Sequence, residues 1–169
     1  MRQPLALAAL ASLLLAGTAG AEPLFNRVAT FSVPLNLPAD RDPTKKTVSE
    51  IIAASEDGML LAYTDGEQKA LGLIDITDPA NPKPAGFVRL EGESTSVTIL
   101  GDKAFVAVVT SGDNFKEPAG HLATVDLKTK QVVAKCDLGG QPDSVTLTKD
   151  KGKIAIAIEN ERDEKLNKG

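Results

Sequence analysis

One pattern constrains this chain more than any other. Short β-branched runs, each closed by a turn rich in Gly, Asp or Lys, return at intervals of nearly fifty residues. Ile51-Ile52-Ala53-Ala54 leads through Glu56-Asp57-Gly58 into Met59-Leu60-Leu61-Ala62-Tyr63. Val97-Thr98-Ile99-Leu100 leads through Gly101-Asp102-Lys103 into Ala104-Phe105-Val106-Ala107-Val108-Val109. Val145-Thr146-Leu147-Thr148 leads through Lys149 to Lys153 into Ile154-Ala155-Ile156-Ala157-Ile158, and Val97 and Val145 stand 48 positions apart. Each pair reads as a β-hairpin. The second run of each is continuously apolar or alternates with Ala, which suits a strand covered on both faces.

Two further strands follow each of the first two hairpins. The stretch LGLIDITDPANPKPAGFVRL (71–90) supplies them at 70–76 and 85–90, and LATVDLKTKQVVAKCDL (122–138) repeats them at 121–127 and 131–138. The unit is thus four short antiparallel strands in about 48 residues, the signature of a β-propeller blade. The predicted fold is all-β, with residues 49–92 as a first blade, 93–140 as a second and 141–169 as part of a third. About two and a half blades make an incomplete ring, because closure takes roughly four to eight. Residues 22–48 are predicted to be an N-terminal strand and a connecting loop: FNRVATFSVP (25–34) resembles the fourth strands, and such a strand closes a ring by completing its last blade. The chain is expected to be the N-terminal piece of a longer protein or a shortened product. Its expected partners are the remaining blades or another protein chain, and its open strand edges invite association.

Residues 1–21 read as a signal peptide: Arg2, a Leu/Ala run from Leu5 to Ala16, then Ala19-Gly20-Ala21. The run is shorter than the roughly 20 residues a bilayer span needs, so the mature chain is expected in the periplasm or secreted, with no membrane attachment. A net charge of −4 without a basic stripe excludes nucleic acid as a partner. Cys136 is the only cysteine and reads as a small, buried strand residue with no intramolecular partner. His121 is the only histidine, which excludes a His-based zinc cluster; it reads as a strand-edge residue. No G-x-S-x-G elbow, P-loop or HExxH helix is present.

In a four-stranded meander the turns between strands 2 and 3 share one end of the ring with the links between blades. These upper loops are long and acidic, whereas the lower turns are short and, in the later blades, lysine-rich. Function is usually mounted on long loops at one end of a rigid frame. Glu50, Ser94, Thr95, Asp143 and Ser144 open the innermost strands and are predicted to line the mouth of the channel. Asp75 and Asp126 close the third strands and read as structural turn residues that accept hydrogen bonds from their own turns.

The segments SEIIAASEDGMLLAYTD (49–65), GLIDITDPANPKPAGF (72–87) and LGGQPDSVTLTKDKGKIAIAIENERDE (138–164) carry a family resemblance. They look like the N-terminal part of exported bacterial propellers of the LVIVD-repeat, choice-of-anchor I and "esterase-like activity of phytase" group. The resemblance implies a long propeller followed by a phytase-like domain, with phosphoric ester hydrolysis for the whole. On that reading this chain is the N-terminal part of a calcium-assisted phosphoesterase. Glu50, Glu93, Asp143, Glu159 and Glu161 would then be the metal ligands, since Ca²⁺ takes six to eight oxygens and would polarise phosphate and activate water. The other reading, preferred here, is a non-catalytic binding or scaffold module that presents its acidic loop face to a partner.

Overall fold

The computed structural model describes residues 26–42 and 44–161; the predicted signal peptide lies outside them. Ten strands form in chain order: β1 Ser49–Ala54, β2 Leu60–Asp65, β3 Ala70–Asp75, β4 Lys83–Arg89, β5 Glu93–Leu100, β6 Lys103–Val109, β7 Gly120–Asp126, β8 Gln131–Asp137, β9 Pro142–Leu147 and β10 Ile154–Ile158. They make three antiparallel sheets: β1-β2-β3-β4, β5-β6-β7-β8 and β9-β10. These are two complete β-propeller blades and the first two strands of a third, an incomplete ring.

Turn chemistry sets the hairpins. Gly101 takes a left-handed φ of 57° in the two-residue link between β5 and β6, the first-position Gly that suits the twist of a tight hairpin. The β1–β2 and β9–β10 links are longer and share a design. Ser55 Oγ donates to Asp57 Oδ1 (2.6 Å) in one, and Thr148 Oγ1 to Asp150 Oδ1 (2.5 Å) in the other. Their tips meet across the lower end of the arc, where Lys151 pairs with Glu56 at 2.5 Å.

Asp75 Oδ1 accepts from the main-chain N–H (2.9 Å) and the hydroxyl (2.7 Å) of Thr77. Asp126 Oδ1 accepts from the N–H groups of Lys128 (3.0 Å) and Thr129 (2.8 Å), and its Oδ2 receives Lys103 Nζ at 2.8 Å. The Lys103 hydrogen bond and the Thr129 N–H hold the Asp126 carboxyl well below the usual carboxylate range. Both carboxylates stop a third strand by offering its turn an alternative to the ladder.

Leu71, Leu73, Val97, Ile99, Val106, Val108, Ala123 and Val125 are buried in one continuous core between the sheets. β5 is well covered because β1 and β2 pack on one side of it and β9 on the other. β1 occupies the same innermost place in its blade but is exposed along most of its length, leaving Ile51 and Ile52 at 41% and 56% exposure. β10 is similarly uncovered, although its sequence reads as a strand buried on both faces. Both flank the open ends of the arc.

Two sequence expectations change here. Cys136 is exposed, because β8 is an outermost strand whose residues are almost all exposed. The segment 25–34, expected as a strand, forms no ladder within the described residues: 26–32 has no regular structure, and Val33–Asn36 is a 3-10 helix. A closing strand needs the third strand of a final blade to pair with, and no such strand is among the described residues.

The N-terminal segment is nonetheless pinned to the first blade. Asn36, 6% exposed, donates Nδ2 to the Tyr63 hydroxyl (3.1 Å) and to the carbonyls of Leu73 (3.0 Å) and Gly86 (2.9 Å). Asn36→Leu leaves two main-chain carbonyls and a phenol without this donor. It is expected to lower unfolding free energy by about 1–3 kcal/mol, read as a lower urea midpoint at unchanged m-value.

Candidate functional site

The upper mouth is built by a device repeated in every blade. Each innermost strand carries one residue too many just after it starts. In β1 the register slips between Ser49 and Ile52, in β5 between Ser94 and Ser96, and in β9 between Pro142 and Ser144. These β-bulges bend the strand and re-aim a side chain. They fall at Glu50-Ile51, Thr95 and Asp143, so equivalent positions at the mouth carry Glu, Thr and Asp.

Between the second and third blades lies a cleft of about 120 Å³, lined by Glu93, Thr95, Asp113, Gln141, Asp143, Glu159 and Glu161 among others. Gln141 organises its floor. Its main-chain N–H donates to Asn160 Oδ1 (3.1 Å) and its Nε2 to Ser111 Oγ (3.2 Å). Its Oε1 accepts from the Glu161 N–H (2.9 Å), and its carbonyl from the Glu159 N–H (2.9 Å). Thr95 Oγ1 donates to the Pro142 carbonyl (2.6 Å), tying β5 to β9. A second cleft, of about 340 Å³, is lined by Lys46, Val48, Glu50, Gly66, Glu67, Lys69 and Glu93. Glu93 is common to both.

Four of the five candidate metal ligands, Glu93, Asp143, Glu159 and Glu161, therefore share one cleft, and Glu50 lies in the adjoining one with Glu93. Among the described residues no three His, Cys, Asp or Glu side chains come together closely enough to hold a metal ion. Thr95 and Asp143 line the mouth as the sequence suggested. Ser94 does not: it is 1% exposed and donates its hydroxyl inward to the Ala70 carbonyl at 2.8 Å. His121 lies at the start of β7, where it is buried, and burial together with Lys135 lowers its pKa.

With this geometry in place, comparison with known proteins adds a lineage. The family model for the choice-of-anchor I domain matches residues 50–169. The chain belongs to the choice-of-anchor I family. No curated protein matches it. Among solved structures, the choice-of-anchor I chain is similar to Kuenenia stuttgartiensis hydrazine synthase, with a TM-score of 0.55 and 16% identity over 66% of this chain and 30% of that one. It is also similar to Myxococcus xanthus glutaminyl cyclase, with a TM-score of 0.46 and 15% identity over 68% of this chain and 45% of that one. A further similar structure is the β-propeller domain of Myceliophthora thermophila Cps50 (Swd1), with a TM-score of 0.37 and 11% identity over 66% and 49% of the two chains. At 16% identity the hydrazine synthase likeness speaks for the fold alone, and this chain spans under a third of that protein's length.

Electrostatics single out one carboxyl in the choice-of-anchor I mouth. Burial, then the negative charges of Glu161, Glu50 and Glu67, hold Glu93 above its ordinary value of 4.5, with Lys69 opposing. The folded chain therefore binds this proton more tightly than the unfolded chain. The stability this confers is fully present below 4.5 and is lost as pH rises through the folded value. Glu93→Gln is accordingly expected to raise the melting temperature by roughly 1–3 °C at neutral pH. Melting curves recorded below the ordinary glutamate value should show no such gain.

Sequence reasoning missed Gln141, an uncharged residue in a Gly-Gly-Gln-Pro loop with nothing to mark it. It also missed Gln68, in the turn between β2 and β3, and counted Asp65 only as an acid of that upper loop, whereas Asp65 ends β2 and both side chains are buried. The only available signal for their burial was the Asp-Gly pair that opens the turn.

Proposed function

We propose that this choice-of-anchor I chain is the binding front of an exported or surface-anchored propeller, recognising a positively charged partner through its acidic upper mouth and catalysing nothing by itself. Remaining blades or another protein chain would cover its open ends. Export is supported by the N-terminal Arg-then-Leu/Ala segment, and among the described residues no helix is long and apolar enough to cross a membrane. The observation that carries the reading is the convergence of Glu50, Glu67, Glu93, Asp113, Asp143, Glu159 and Glu161 on two adjoining clefts lined by only two lysines. Such a field attracts cations over distances set by ionic strength.

Binding to a lysine-rich peptide, measured by calorimetry at low and at physiological salt, tests it. The triple variant Glu93→Gln/Asp143→Asn/Glu161→Gln should lose tenfold or more in affinity. Asp102→Asn, on the lower end, should not. Equal binding by both variants would sink the proposal.

A second reading keeps calcium at the mouth, with Glu50, Glu93, Asp143, Glu159 and Glu161 as ligands of a phosphoesterase centre. It is favoured by the shared cleft of four of these residues. It requires their carboxylates to draw closer around an ion than they stand now. Stoichiometric calcium heat that disappears in the triple variant would select this reading over the first.

A further inference from the structure

Two buried acceptors beneath the upper turn of the first blade have no partner, and they lie outside the mouth. Asp65 ends β2 with its side chain fully enclosed. Its Oδ1 accepts from the main-chain N–H groups of Val48 (3.0 Å) and Gln68 (3.1 Å), while its Oδ2 meets no donor. Gln68, 2% exposed, donates Nε2 to the Lys46 carbonyl (2.8 Å), while its Oε1 also meets no donor. The connection 46–48 and the turn 66–69 are thus laced together through Asp65 Oδ1 and Gln68 Nε2, which leaves Asp65 Oδ2 and Gln68 Oε1 bare in the same buried turn.

Unsatisfied buried polar atoms are rare in folded proteins, and a bare buried carboxylate oxygen is the most costly kind. A water molecule could donate to either oxygen, but it would not offset the charge. None of the ion pairs formed by the described residues includes Asp65. Lys46, whose carbonyl is part of this cluster, sends its ammonium outward to Glu67 at 3.4 Å. The two N–H donors serve Oδ1 alone, so half of the carboxylate lacks both a donor and a counter-ion. The acceptors offered are hard oxygens without nitrogen or sulfur. That set suits calcium or an alkali ion and disfavours zinc or copper.

We propose that Asp65 Oδ2 and Gln68 Oε1 hold a hard cation, calcium or an alkali metal ion, which locks the 46–48 connection onto the first blade. The site carries one formal negative charge, so its calcium affinity falls in the weak range of extracellular modules, about 10⁻⁴–10⁻³ M. Neither ligand is among the acids of the mouth, although the segments they join, 46–48 and 66–69, wall its second cleft.

The chain itself supplies a reporter. It holds one tyrosine and no tryptophan, and Tyr63 lies two residues before Asp65 on β2, close enough to feel its charge. Terbium, a calcium substitute, luminesces when excited through a nearby tyrosine. Saturable tyrosine-sensitised emission is expected, displaced by calcium and reduced at least tenfold in Asp65→Asn. It should be unchanged in Glu93→Gln/Asp143→Asn.

Gln68→Glu adds a second carboxylate and keeps the test decisive where Asp65→Asn fails to fold. It should tighten terbium binding about tenfold and enlarge the rise in melting temperature with the cation. Melting in calcium, sodium and potassium chloride, against tetramethylammonium chloride at equal ionic strength, identifies the ion. Emission that survives in folded Asp65→Asn overturns the proposal. So does a Gln68→Glu variant that gains nothing from any of these ions, which would leave the two oxygens to water.

Discussion

Replacing Gly72 with alanine is expected to cost this chain about 3–5 kcal/mol, the scale of losing a large buried aromatic side chain. Gly72 faces Tyr63 across the β2–β3 ladder. A Cβ there would stand 2.0 Å from Cζ of the Tyr63 ring and 2.3 Å from its hydroxyl oxygen. The ring is 1% exposed and covers the glycine with its Cζ, Cε1 and hydroxyl, so it cannot stay where it is. Its departure also removes a partner from Asn36, the residue that pins the N-terminal segment. Since a domain of this size has about 5–15 kcal/mol in total, the variant should melt at least 10 °C lower or lose the first blade. A double-mutant cycle identifies the cause. Tyr63→Ala alone should cost nearly as much, and adding Gly72→Ala to it should cost under about 1 kcal/mol, because neighbours in contact are not additive. Additive losses would mean that Gly72 is needed for something other than the ring.

Gly92→Ala should be nearly as damaging, for a reason that no side-chain rotation can relieve. A Cβ at Gly92 would lie 1.9 Å from the Val109 carbonyl oxygen, which is main chain. The strand beginning at Glu93 pairs with β6 at Glu93–Val109, so the clash falls on the first rung of the second blade. A loss of about 3 kcal/mol is expected, at the upper end for an overpacked site. Chemical denaturation measures it. A second readout ties the change to the mouth. Glu93 packs its side chain over Gly66, with its Cγ 3.1 Å from a Cβ built there, and displacing the start of β5 should loosen that seat. The pH dependence of stability that stems from Glu93 should shrink in Gly92→Ala. An unaltered pH profile with full stability would contradict this account of the crossover.

The fold was legible because its signals are local and repeated. Hairpin turns such as Gly101-Asp102, the Asp that closes each third strand, and continuous apolar runs such as Ala104–Val109 each carry their own physical meaning. Their recurrence multiplies that meaning. The inner strands were legible only to within one residue, since a bulge leaves no compositional trace. Ile51 aligns with Val97 and Val145 by sequence, yet the register pairs Ile52 with Tyr63 where Val97 pairs with Val106 and Val145 with Ile156. Burial was misjudged where it depends on a neighbouring blade. The alternating stretch around Cys136 looks like covered strand, but coverage is a property of the sheet next to it. The same holds for Ile154–Ile158. The site was half legible. Acids on long upper loops could be counted, whereas Ser94 turning inward, Gln141 organising the cleft floor and the bare oxygens of Asp65 and Gln68 arise from contacts between residues distant in sequence or from burial.

The recurring bulge carries a consequence for how such a mouth changes. Each extra residue sits outside the regular rungs of its ladder, so its identity is nearly decoupled from the pairing that holds the blade. The frame is written in β-branched residues and glycines that tolerate little. The rim is written in one letter per blade outside the ladder, here Glu, Thr and Asp. Exchanging Glu50 or Asp143 rewrites what the rim prefers to touch without renegotiating the sheet beneath it, whereas Thr95 also ties β5 to β9. Relatives of this architecture can therefore diverge in partner at two of the three places while keeping every strand in its own ladder.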